Sequence, residues 1–186
     1  MNMRTVYLLS LSFFFASWEA AAQDILLDKE GVAHFFSEAP LEDIEATNEE
    51  ALGALNLKEG TVAVSLLIKN FHFDKSLMEE HFNENYLESE KYPKATFQGK
   101  IEGFESLDFT KPGAFDAKAK GTLDIHGVKQ PLDAAVSFNV TEEGIEATTR
   151  FKVALKDHKI KIPKLVIKNI AEVVDVDASF QFDRKL

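Results

Sequence analysis

Several stretches of this chain alternate apolar and polar residues with a period of two, and that period leaves few folds open. In Leu132–Val140 one face carries Leu132, Ala134, Val136, Phe138 and Val140, and the other Asp133, Ala135, Ser137 and Asn139. Val174, Val176, Ala178, Phe180 and Phe182 alternate in the same way with Asp175, Asp177, Ser179 and Gln181. The pattern recurs at Val62/Val64/Leu66/Ile68, Ala95/Phe97/Gly99/Ile101 and Ala147/Thr149/Phe151/Val153/Leu155. Successive side chains of a strand point to opposite faces, so strict alternation means one buried face and one wet one. Parallel sheets are covered on both faces and read as continuous apolar runs, which makes this sheet antiparallel. Counting from Ile25 gives eight or nine strand candidates. A sheet of that size with one apolar face forms a sandwich or closes into a barrel.

The connections fit. His126-Gly127-Val128-Lys129-Gln130-Pro131 reads as a compact turn in which Gly127 takes positive φ and Pro131 opens the next strand. Lys58-Glu59-Gly60 and Thr141-Glu142-Glu143-Gly144 link other pairs, with no room for helical crossovers. One segment has helical spacing: after Asp74, a candidate N-cap, Leu77, Met78, Phe82, Asn85 and Tyr86 fall on one side, and Tyr92-Pro93 ends it. A weaker helical candidate runs from Pro163 to Ala171. Glu38 to Glu50 holds six acids and no base and reads as an irregular, solvated strand and loop.

The N-terminal residues have the layout of a secretory leader. Arg4 supplies positive charge, an apolar run extends from Val6 to Ala16, and Ala20-Ala21-Ala22 offers a cleavage site after Ala22. The expectation is a leader over 1–22, a single domain over 23–186, and a periplasmic or secreted location. Cysteine is absent, which excludes a disulfide framework, a thiolate nucleophile and a thiolate metal site. The formal charge of −10 disfavours nucleic acid and anionic membrane surfaces as general partners. Of 16 phenylalanines only Phe13, Phe14 and Phe15 lie in the leader, so the domain is rich in bare phenyl rings that suit an unusually apolar interior.

Two blocks carry a family resemblance. The first runs from Met78 to Gly99 and includes His81 and Lys91-Tyr92-Pro93-Lys94-Ala95-Thr96-Phe97. The second is Gly121-Thr122-Leu123-Asp124-Ile125-His126-Gly127-Val128, with Pro131 shortly after it. Together they resemble the YceI-like family of bacterial envelope proteins. The resemblance implies an all-β fold with one short helix: an eight-stranded, antiparallel, lipocalin-like barrel holding a polyisoprenoid lipid or isoprenoid quinone. The family commonly has Arg-Asp before the helix His and an aromatic, glycine-bearing early strand pair. Here Glu79-Glu80 precede His81, and the early region is the acidic stretch from Glu38 to Glu50.

The candidate ligand-binding residues are the inward apolar positions Val64, Leu66, Ile68, Phe97, Ile101, Leu123, Ile125, Val136, Phe138, Phe151, Val153, Phe180 and Phe182. Phe71, Phe73 and Phe82 join them near the helix. Alternation alone does not separate a hollow barrel from one packed solid, because eight strands accommodate either; the resemblance favours a cavity. His81 and Glu84, at i and i+3, share a helix face but lack the third ligand of a catalytic zinc site. Lys156, Lys159, Lys161, Lys164 and Lys168, interleaved with Ile160, Ile162, Leu165, Val166 and Ile167, read as a solvated loop, or as a surface for transient membrane or headgroup contact. No nucleophile elbow, phosphate loop or dinucleotide fingerprint occurs. The reading is therefore a non-enzymatic carrier with no metal and no cofactor beyond a bound isoprenoid lipid or quinone. The alternatives are a filled-barrel interaction protein of the envelope and, more distantly, a metal-dependent hydrolase.

Overall fold

The computed structural model describes residues 24–38, 43–162 and 171–183. Eight strands follow one another around a closed barrel. They are β1 (Ile25–Ser37), β2 (Ile44–Asn56), β3 (Thr61–Leu67), β4 (Lys94–Ile101), β5 (Gly113–Ile125), β6 (Val128–Val140), β7 (Gly144–Ala154) and β8 (Val173–Asp183). Each neighbouring pair is antiparallel, and β8 closes on β1 from Val32↔Ser179 to Phe36↔Asp175. Closure gives every strand a hydrogen-bonded neighbour on each side over part of its length. The one α-helix among the described residues, α1 (Ser76–His81), lies in the long β3–β4 connection.

The predicted alternation is what the barrel uses. Along β6, Ala134, Phe138 and Val140 are buried while Asp133, Ala135, Ser137 and Asn139 are exposed. On the wet face the register partners Arg150 and Asp177, and Lys152 and Asp175, form cross-strand ion pairs. Exposed pairs of this kind contribute at most about 1 kcal/mol each. The up-and-down order places the β1–β2, β3–β4, β5–β6 and β7–β8 connections at one end of the barrel, the helix end. The remaining three connections lie at the far end.

Several local expectations are corrected. The acidic stretch is not irregular: from Ile44 onward it is part of a thirteen-residue strand, β2, paired with β1 and β3. Its acids Glu45, Glu49 and Glu50 are exposed, and the inward positions are the small residues Ala46 and Ala51, whose weak apolar signal hid the period. Nor does Pro131 open a strand. Ile125 and Val128 are paired across a two-residue turn in which His126 and Gly127 both have positive φ, so Pro131 lies inside β6 opposite Thr122. It is tolerated because β7 pairs with β6 only from Ala135 onward, and there is no second ladder there to lack its N–H. Asp74 is not the N-cap; Lys75 occupies that position without a side-chain cap.

After His81 the helix widens into a π-helical segment, Phe82–Tyr86, in which the Leu87 N–H donates to the Phe82 carbonyl at 2.9 Å. Met78, Phe82 and Tyr86 face the barrel. Leu77 and Asn85, expected on the same side, are exposed, Leu77 by 60%. They sit one position out of phase with the i, i+4 row that faces inward. The leader, most of the second helical candidate, and Lys164, Leu165, Val166, Ile167 and Lys168 lie outside the described residues.

The far end is filled. Phe109 packs edge-on against Phe115 and Phe138, with ring centroids 4.9 and 5.2 Å apart, and stacks with Phe104 at 5.4 Å. Leu55, Ile101, Val140, Ile145 and Phe182 are each at most 2% exposed. Such aromatic contacts contribute about 0.5–1.5 kcal/mol each beyond area burial.

Candidate ligand site in the hollow end of the barrel

The helix end is built differently. Leu66, Ala95, Phe97, Ile125, Phe151 and Val176 point inward, yet each is only half-buried. The space beside them is a cavity of about 290 Å³ bounded by β1, β2, β3, β4, β5, β7, β8 and the helical segment. A second cavity of about 120 Å³ lies deeper, toward the filled end. Ala33, Leu66, Ala95, Leu123, Phe151 and Val176 line both and form a waist between them. The lumen is thus neither solid nor open throughout. It is hollow next to the helix and plugged at the other end.

All sixteen residues named from the sequence stand on these walls. Ile68, Phe71, Phe73, Phe82, Ile125 and Val153 line the larger cavity, and Leu66, Leu123 and Phe151 the waist. Val64, Phe97, Ile101, Val136, Phe138, Phe180 and Phe182 line the deeper one. Sequence reasoning missed Phe35, which holds the roof together. Its ring stacks on Phe82 at 5.6 Å and meets Phe71 and Phe73 edge-on at 5.6 and 5.8 Å. The signal was available as Ala33-x-Phe35-x-Ser37. A bulge between Asp28 and Ala33, however, breaks the phase that would have assigned Phe35 inward and Phe36 outward. The early strand pair thus carries aromatics after all, together with Gly31 and Gly53.

The roof is tied down at three places. Segment 71–73 bridges to β2 through reciprocal backbone bonds between His72 and Thr47, at 2.9 and 3.1 Å. The Glu79 carboxylate accepts the Phe73 N–H at 3.3 Å and links α1 to that segment. Asn48, fully buried, spans the region above Leu52↔Ser65 where the β2–β3 ladder ends. Its Nδ2 donates to the Leu67 carbonyl at 2.9 Å, and its Oδ1 accepts the Glu50 N–H at 2.9 Å. Behind the π-helical segment, buried His126 contacts Glu88, the His158 carbonyl and the Tyr92 ring. His158 in turn donates from Nδ1 to the Val128 carbonyl at 3.0 Å.

Chemically the cavity is almost pure hydrocarbon. Among the described residues of the larger chamber, the side chains able to hydrogen-bond are those of Ser37, His81 and Tyr86. Ser37 is committed to the Ala171 N–H at 3.2 Å. Burial raises the Tyr86 phenol above its ordinary pKa, so it stays neutral. His81 stands exposed at the mouth, and Glu84, its partner in the considered metal pair, is exposed as well. Among the described residues no three His, Asp or Glu side chains are grouped to hold a metal ion. Leu155 and Ile160 line the chamber, while Lys156, Lys159 and Lys161 beside them are exposed.

A closed antiparallel barrel with an apolar, partly hollow lumen defines a lipocalin-like class of protein. Within it, the chain belongs to the YceI-like domain family, whose model matches residues 29–182. The fold is similar to that of a polyisoprenoid-binding domain from Saccharophagus degradans implicated in plant cell wall breakdown. The TM-score is 0.74 at 13% identity, covering 87% of this chain and 99% of that one. It is similar also to BcnA of Burkholderia cenocepacia (TM-score 0.66, 12% identity, covering 81% and 95%). The YceI protein of Campylobacter jejuni matches at TM-score 0.57 and 14% identity, covering 99% and 100%. No curated protein sequence matches the chain.

Proposed function

We propose that the protein is a non-enzymatic carrier that takes a single apolar chain, of an isoprenoid lipid or isoprenoid quinone, into the helix end of its barrel. One observation carries this reading: inward-facing hydrocarbon side chains remain half-exposed to an empty chamber of about 290 Å³. Leaving such surface against water is unfavourable, and covering it with a hydrocarbon ligand gains on the order of 25 cal/mol per Å². The two cavities together reach the lower part of the range usual for small-molecule sites, roughly 300–1,000 Å³. A filled-barrel interaction protein would have no reason to leave this chamber open. That a neighbour of the same fold is a polyisoprenoid-binding domain supports the ligand class. The leader-like N-terminus supports export to the periplasm or beyond. Exposed Lys156, Lys159 and Lys161 beside the chamber suit transient contact with an anionic membrane surface during loading.

The test is to fill the waist. Val176→Trp places an indole where the two cavities meet. Isoprenoid alcohol binding, followed by displacement of a fluorescent lipid probe, should fall at least tenfold while the melting temperature is kept. Unchanged binding in a folded variant would reject the lumen as the site.

A further inference from the structure

Along β8 from Val176 the inward side chains pass from half-buried to buried at Phe180. On its side toward the helix, Val176 and Ala178 are half-buried; on the other side Phe182 is 2% exposed. Across from Phe180 on β1 and β2 stand Gly31 and Gly53. A Cβ added at Gly53 would lie 2.6 Å from Cδ1 of Phe180, and one at Gly31 would lie 2.5 Å from the same ring. The ring therefore occupies the volume that two side chains would otherwise fill. From there it bounds the deeper cavity and stacks with Phe182 at 6.0 Å.

We propose that Phe180, seated in the niche left by Gly31 and Gly53, is the stop that sets how long an apolar chain the lumen accepts. The inference rests on the carrier reading above and adds the determinant of chain length to it. The argument is steric. The far end is closed by the Phe109 cluster, so a chain entering from the helix end passes the waist and ends in the deeper cavity, whose room the Phe180 ring limits. Phe180 has close neighbours on the wall side in both glycines, and its remaining free space is the deeper cavity itself. Any side chain at position 53 must turn the ring into that cavity, because the nearest atoms to the new Cβ belong to Phe180 and Phe182. Removing the ring extends the cavity instead. A phenyl ring and an isoprene unit contain nearly the same number of carbons, so removing the ring should lengthen the preferred chain by one unit.

The experiment measures relative affinities for geraniol, farnesol and geranylgeraniol in wild type, Phe180→Ala, Gly53→Ala and the double variant. Phe180→Ala should raise the affinity ratio of the longer over the shorter neighbouring alcohol by roughly tenfold, as expected when a pocket gains or loses a few carbons of fit. Gly53→Ala should lower it. The double variant should behave like Phe180→Ala, since no ring remains to be displaced. If Phe180→Ala does not fold, Phe180→Leu should give a smaller shift in the same direction. Folded variants that bind with the wild-type length preference would overturn the proposal. Wild type that binds none of the alcohols would overturn the carrier reading, and this inference with it.

Discussion

The Nε2 of His126 lies 2.8 Å from a carboxylate oxygen of Glu88, and this contact joins the β5–β6 turn to the segment that roofs the cavity. The same imidazole presents Nδ1 to the His158 carbonyl at 3.1 Å, so one ring connects three connections at the helix end. His126 is 8% exposed, whereas the Glu88 side chain is 45% exposed. The two partners should therefore differ in cost. His126→Ala leaves the His158 carbonyl buried without a donor and should lower stability by roughly 2–3 kcal/mol. Glu88→Gln keeps an acceptor at a wet position and should cost less than about 1 kcal/mol. Urea midpoints of the two variants check this; equal losses would contradict the burial argument.

Phe35 and Phe82 are the two hubs of the roof, each touching Phe71, Phe73 and the other, and Phe35 is the one that stands on the barrel wall. Full burial would make Phe35→Ala cost about 3–5 kcal/mol, but the side facing the chamber is already empty, so about 2 kcal/mol is expected. The loss should appear as a lower thermal midpoint. Amide exchange should also be faster at Phe71 and His72, whose segment the ring holds to β2. A variant with unchanged exchange there would show that the backbone bridge at Thr47 suffices alone.

At the opposite end, the Thr110 hydroxyl, with Lys111 and the Thr110 N–H, holds the Asp108 carboxyl down to about 2. This exposed aspartate shapes the loop that carries Phe104 and Phe109. A folded-state pKa below the unfolded one means that the stabilisation is present above the unfolded value. It is lost as pH falls from about 4 through 2. The stability gap between wild type and Asp108→Asn should therefore close over that interval. Added salt should narrow it at every pH, since the site is exposed. A gap that widens on acidification would reverse the sign and refute the assignment.

Much of this architecture could be read from the chain. Val136/Phe138 and Phe180/Phe182 declare their inward face because long strands with strict alternation admit one phase. The turn at His126-Gly127 declares itself through its glycine. What stayed hidden has physical causes. In β1 a bulge resets the phase ahead of Phe35, and in β2 alanines stand where larger residues would have marked the core. Whether the lumen is full or hollow was not legible from the identity of the rings, because that depends on which way they lie. Phe109 packs among Phe104, Phe115 and Phe138, whereas Phe180 lies against two glycines that are far from it in sequence. The π-helical widening at Phe82 likewise left no mark in the residue pattern, since Met78, Phe82 and Tyr86 keep the i, i+4 spacing of an ordinary helix face.

The most direct test of the central claim is native mass spectrometry of the protein purified, without organic solvent, from a host that makes isoprenoids. The account predicts a single lipid adduct of one-to-one stoichiometry that is lost on organic extraction and restored on adding an isoprenoid alcohol. A protein that emerges ligand-free and still takes up no isoprenoid when it is offered would contradict it.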